Sequence, residues 1–170
     1  PIHNGHLMLG HAAYEAFSLD QIWFMPNGNP PHKKSETIKS TAEDRMKMTS
    51  LAIAPFPEFV LQPYEALRAE VSCSYQTMEH FSKIYPDDEF YFIIGADTIL
   101  ATYRNEVKTK EEMNRQIQYL SEKYHAKIRL LETPLMPVSS HELRASLQSG
   151  DSVSEYMPAA VCSYIKQHHL

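Results

Sequence analysis

The chain has 170 residues, is 43% hydrophobic and 22% charged, and carries a net charge of −5, the composition of an ordinary globular protein with a real core. The acidic balance argues against broad nucleic-acid binding, so an anionic substrate needs a locally positive pocket; the basic spots are Lys33-Lys34 and single residues such as Arg45 and Arg144. Two cysteines, Cys73 and Cys162, without CxxC spacing exclude a disulfide scaffold or zinc knuckle, and the lack of a membrane-length apolar run or a signal-peptide pattern points to the cytoplasm.

The first stretch, PIHNGHL, puts His3 and His6 around Gly5 where a loop turns into a helix, with Leu7, Leu9, Ala12, Ala13, Ala16 and Phe17 at helical spacing. Such a helix start can hold phosphate, and imidazoles there add donors for developing charge; the alternative is that one histidine merely caps the helix. Gln21–Met25 reads as a buried strand emptying into PNGNPPHKK, a loop rich in Pro, Gly and Asn. Loops at the carboxyl ends of strands carry ligand contacts in α/β sheets, which makes His32 and Lys33 candidates against a plain solvated loop.

Thr41 opens a helix with Asp44 near its start and Met46, Leu51 and Ala52 for packing; Pro55 and Pro57 end it. Phe59–Leu61 is the next strand, and Ser72 or Ser74 caps a helix through Met78, Phe81 and Ile84 to Tyr85. Glu89–Ile94 is an apolar strand ending in Gly95-Ala96-Asp97. This alternation predicts a parallel sheet. Thr98–Tyr103 then reads as another buried strand with no residues between it and Asp97, although neighbouring parallel strands need a crossover of about a dozen residues. The expectation is that a connecting segment of ~15–25 residues is absent at that junction.

An amphipathic helix over Lys110–Tyr124 follows, with Met113, Ile117, Leu120 and Tyr124 as a core stripe, and then a strand over Ala126–Leu131. Ser139 and Glu142 form an S-x-x-E capping box, Arg144 lies in the second turn of that helix, and Pro158–His168 is the last helix.

The opening residues resemble the tail of G-G-x-F-D-P-x-H-x-G-H, the first motif of the nucleotidyltransferase superfamily, through Pro1, His3, Gly5 and His6. Val138-Ser139-Ser140-x-x-Leu143-Arg144 resembles its second motif, I-S-S-x-x-I-R. Met25-Pro26-Asn27 with Pro30-Pro31-His32-Lys33, the segment VSCSYQTM, the G-x-D strand end at Gly95-Ala96-Asp97 and the C-terminal MPAAVCSYI narrow the similarity to bacterial nicotinate-nucleotide adenylyltransferases, over essentially the whole chain. Two departures stand out. The G-G-x-F-D half and the first strand are absent before Pro1, which predicts a partial sequence. The tryptophan expected after G-x-D is also absent, Trp23 being the sole tryptophan.

The resemblance implies a single-domain α/β, Rossmann-like, doubly wound and mostly parallel sheet with helices on both faces over residues 1–170. It implies adenylyl transfer from ATP to nicotinate mononucleotide, with Mg²⁺ arriving on ATP. It assigns His3, His6 and Arg144 to catalysis and His3, Gly5, His6, Gly95, Asp97, Ser139, Ser140 and Arg144 to ATP. Asn27, His32, Lys33, Ser74 and Thr77 go to the acceptor. No protein metal cage is expected, a zinc site on His3 and His6 lacking a third ligand. No nucleic-acid or membrane partner is expected, and homo-oligomer formation stays open. Two alternatives are a relative acting on phosphopantetheine or glycerol phosphate, and a non-catalytic nucleotide-binding module.

Overall fold

The computed structural model describes residues 1–28, 40–68, 70, 73–93, 114–115, 117–119, 122, 129, 131, 133 and 138–170. It comprises two compact units, one made of Pro1–Phe90 with Thr133–Leu170 and the other of Tyr91–Glu132.

In the first unit, helix α1 (Asn4–Phe17) begins where the sequence turns helical and ends at Ser18, whose left-handed backbone (φ 49°) closes the last turn. Leu7, Gly10 and Ala13 face inward. Gly10 matters for contact: a Cβ there would lie 3.0 Å from the Phe24 ring, so its absence lets α1 press onto strand β1 (Ile22–Phe24). Helix α2 (Ala42–Ile53) then leads to strand β2 (Phe59–Leu61), which pairs parallel with β1 in the register Ile22↔Phe59, Trp23↔Val60, Phe24↔Leu61. This βαβ unit is the α/β arrangement that the alternation predicts.

Helix α2 is capped as its sequence specifies: the Thr41 hydroxyl accepts from the Asp44 N–H at 3.0 Å, while the Asp44 carboxylate accepts from the Thr41 N–H at 2.8 Å. Its buried face is Met48, Thr49, Ala52 and Ile53, with Met46 and Leu51 half-buried. The packing face is thus turned from the expected one, because α2 buries itself between β2 and the last helix. Helix α3 (Ser74–Ile84) takes Cys73 rather than either serine as its N-cap residue and buries Thr77 and Phe81; Ile84 is exposed. Trp23, expected only as a strand residue, meets Phe81 at 5.0 Å and Tyr85 and Phe90 beyond, so the sole tryptophan packs in an aromatic cluster.

Helices α4 (Ser140–Ser149) and α5 (Ala159–His168) complete this unit. Pro158 is the residue before α5 rather than its first helical position. Tyr164 of α5 donates to Asp44 of α2 at 2.9 Å, which locks the two helices across 120 residues. Met157 and Val161 are the largest side chains shielded entirely from water. Met157→Ala leaves a cavity there, and we expect a loss of about 2–5 kcal/mol, read as a lowered urea midpoint with unchanged slope.

Glu89–Ile93 has no regular secondary structure, contrary to the strand expected there. Apolar residues form a strand only where a neighbour offers a ladder, and the sheet among the described residues is the β1–β2 pair. Phe90 is instead used by the aromatic cluster. In the second unit, Asn114, Arg115, Ile117, Gln118, Tyr119 and Glu122 are helical, as expected. Arg129 and Leu131 lack strand structure, and the Arg129 guanidinium lies 5.6 Å over the Tyr91 ring. Met113, Leu120 and Tyr124, and the whole junction at Asp97 and Thr98, lie outside the described residues.

Candidate active site

The site begins with the backbone of α1. His3, its N-cap residue, is extended (φ −145°, ψ 170°) and only 6% exposed, whereas His6 in the first turn is exposed. Their rings lie 3.7 Å apart. The His3 N–H donates to His6 Nδ1 at 3.3 Å. A neutral His6 accepting through Nδ1 carries its proton on Nε2, which makes that nitrogen a donor. His3 Nδ1 is buried without a partner among the described residues, an arrangement that costs free energy unless something else satisfies it.

Burial first, and the neighbouring His6 second, push the His3 pKa down to about 4. His3 is therefore neutral at pH 7. An unfolded histidine near 6.5 binds the proton more readily, so stability tied to His3 is present above about pH 6.5 and lost as pH falls toward 4. Between pH 7 and pH 5 the wild type is expected to lose roughly 1–2 kcal/mol more than His3→Asn, about 3–6 °C in relative Tm. Parallel Tm curves for the two proteins would refute this.

The second half comes from α4. Ser139 caps it: its hydroxyl accepts from the Glu142 N–H at 3.2 Å, and the Glu142 carboxylate accepts from the Ser139 N–H at 3.0 Å and hydroxyl at 2.7 Å. The Ser140 hydroxyl donates to the Pro1 carbonyl at 2.9 Å. That bond brings the start of α4 against the loop that enters α1. Asn4 anchors the same loop from the other side, its N–H donating to the Tyr156 carbonyl at 2.8 Å and its amide to the Glu155 carbonyl at 3.1 Å. Both serine hydroxyls thus build the corner. The N–H groups of Asn4, His6 and Glu142 are spent on Tyr156, His3 and Ser139, so the helix-start donors left for a ligand are those of Gly5 in α1 and of Ser140 and His141 in α4, at the positive end of each macrodipole.

Arg144 is exposed, one turn on from Ser140, with no hydrogen bond or ion pair among the described residues. The starts of α1 and α4 and the two imidazoles therefore meet at one corner, with Arg144 one turn into α4. That set suits a polyanion with several phosphate oxygens.

The acceptor-side candidates divide. Asn27 is exposed at the end of the β1 loop, and Ser74 is exposed at the start of α3. Thr77 is buried, its hydroxyl donating to Glu65 at 2.7 Å, so it links segments. His32, Lys33, Gly95 and Asp97 lie outside the described residues. Sequence reading missed two residues here. Glu65 is a buried carboxylate that no motif signalled. Arg45 carried a signal, a cation in the first turn of α2 where helix dipoles favour anions. Among the described residues no three His, Cys, Asp or Glu side chains converge as a metal site, and no helix is long and apolar enough to cross a membrane.

A loop-to-helix start with paired histidines, hydrogen-bonded to a serine-capped helix bearing an arginine, fits the class of nucleotidyltransferases. The chain belongs to the cytidylyltransferase-like family, whose model matches residues 1–146. Among its curated relatives are proteins named probable nicotinate-nucleotide adenylyltransferase. The one from Clostridium kluyveri is 34% identical over the whole of this chain and 93% of its own length. That from Lachnoclostridium phytofermentans is 38% identical over 99% of this chain and 92% of its own. The protein of the same name from Geobacillus thermodenitrificans is 33% identical over all of this chain and 81% of its own. The first of these alignments runs 190 positions against 170 residues, so that relative has positions without counterpart here.

Proposed function

We propose that this enzyme transfers the adenylyl group of ATP to nicotinate mononucleotide, releasing pyrophosphate and forming nicotinate adenine dinucleotide. The observation that carries the reading is the Ser140–Pro1 hydrogen bond, which joins the two motif helices at one corner. The names of the relatives support the acceptor. The family match runs through both compact units, which supports one catalytic domain.

The acceptor's 5′-phosphate attacks the α-phosphorus in line as the bond to pyrophosphate breaks. His6 Nε2–H meets the oxygens of the α-phosphoryl group, where charge concentrates in the transition state. Neutral His3 lies behind it and fixes its ring. The N–H groups opening α4 and the Arg144 fork hold the β- and γ-phosphates, so the leaving group departs into prepaid positive charge. Mg²⁺ carried in on the ATP would supply further neutralisation of phosphate charge. Asn27, His32, Lys33 and Ser74 serve the acceptor side, and Gly95 and Asp97 the adenosine ribose. We place the reaction in the cytoplasm, where the free thiols of Cys73 and Cys162 stay reduced.

The test is pyrophosphate release from ATP with nicotinate mononucleotide, phosphopantetheine and glycerol 3-phosphate offered separately. Turnover with the first alone supports the reading. A different preferred acceptor would replace it, and ATP binding with no turnover would make the chain a nucleotide-binding module.

A further inference from the structure

Arg45 stands in the first turn of α2, the positive end of that helix, where a cation is electrostatically disfavoured. Burial, its largest perturbation, also works against its charge. What holds it there is a fan of backbone carbonyls. Nε and Nη2 donate to the Asn27 carbonyl at 3.2 and 2.8 Å, Nη2 also donates to the Gly28 carbonyl at 2.9 Å, and Nη1 donates to the Ser40 carbonyl at 2.7 Å. All three nitrogens are used on backbone, so this guanidinium is not a spare phosphate ligand. It ties together the two ends of one connection, Gly28 on the β1 side and Ser40 on the α2 side. His32 and Lys33 lie in sequence between those ends.

The Gly28 end is held from its other side as well. An added Cβ there would fall 2.0 Å from the Glu65 carbonyl oxygen, so Gly28 lies flat against that backbone. The Glu65 carboxylate in turn accepts from Thr77 in the first turns of α3, close in sequence to Ser74. Arg45, Gly28, Glu65 and Thr77 thus connect the two chain segments assigned to the acceptor, while touching none of the phosphate corner at His3, His6 and Arg144.

We propose that Arg45 is a positioning residue for the acceptor, acting by tying the carbonyls of Asn27 and Gly28 to that of Ser40 and so holding the exposed Asn27 in place. The inference rests on the function proposed above for its kinetic readout. Lysine cannot replace the fork, because a single ammonium cannot span carbonyls on two chain ends.

The experiment compares wild type, Arg45→Met, Arg45→Lys and Gly28→Ala in steady-state kinetics with ATP and nicotinate mononucleotide, and in timed trypsin digestion followed at Lys33, Lys34 and Lys39. Arg45→Met is expected to raise KM for nicotinate mononucleotide about tenfold or more while KM for ATP stays within about twofold. Arg45→Lys should recover only part of this, and cleavage at the three lysines should quicken in both. Gly28→Ala displaces the same chain end with Arg45 intact and should move the same KM, which keeps the idea testable if an Arg45 variant fails to fold. Equal changes in both KM values, or a lowered Tm with unchanged KM and cleavage, would overturn the proposal. A wild type that turns over ATP with another acceptor, or not at all, defeats the functional reading instead. Trypsin then decides alone: faster cleavage in Arg45→Met upholds the tie, and an unchanged rate refutes it.

Discussion

His6→Ala is expected to lower kcat by about 10²–10³ while leaving the fold intact, the usual cost of losing one preorganised donor at a developing charge. The reason is local. His6 Nδ1 is occupied by the His3 N–H, so in the proposed mechanism the ring acts through its Nε2–H. His6→Asn separates the two roles, since its side-chain oxygen can still accept from His3 but has no donor at the Nε2 position. We expect His6→Asn to be nearly as slow as His6→Ala and to melt closer to wild type. Turnover near the wild-type rate in either variant would remove His6 from the mechanism.

Arg144→Ala is expected to reduce kcat/KM for ATP by about 10², the loss of a charge-assisted contact to phosphate. Stability should stay within about 0.5 kcal/mol of wild type, because Arg144 is exposed and has no partner among the described residues whose loss would be felt. Arg144→Lys should restore charge but not the planar fork, and so recover part of the activity. Inorganic pyrophosphate, as product, should inhibit wild type more strongly than either variant. If pyrophosphate inhibition is the same in all three, the side chain serves some other part of the site.

Local signals told most of what was readable in the sequence. The helix start at Thr41, the capping box at Ser139–Glu142 and the short apolar runs at Gln21–Met25 and Phe59–Leu61 act over a few residues; the helix start, the box and the second strand form as read, and the first strand forms over Ile22–Phe24. That the two motif segments meet, through the Ser140–Pro1 hydrogen bond, fits their pairing in the sequence. What failed depended on partners distant in the chain. Glu89–Ile93 has strand-like composition but takes its structure from what lies beside it. The face α2 buries was read in part: Ala52 is buried as expected, while Met46 and Leu51 are half-buried and Met48 is taken instead, a choice made by β2 and α5 packing on the helix. Thr77 looked like a ligand contact because no sequence signal paired it with Glu65. Arg45 was counted merely as a basic residue, since backbone carbonyls leave no mark in a sequence.

The Ser140–Pro1 contact closes a loop of 139 residues, and Asn4 meets Glu155 across 151. Bringing chain segments that far apart together costs about 4 kcal/mol in closure entropy, and contacts of such separation form slowly. In the proposed function, nucleotide binding is therefore a late event in the life of each molecule. During synthesis, α1 and the β1–α2–β2 unit can assemble while the histidines still have no corner to belong to. A nascent chain released before Tyr156 has emerged should carry a folded βαβ core and bind ATP no better than an unfolded peptide.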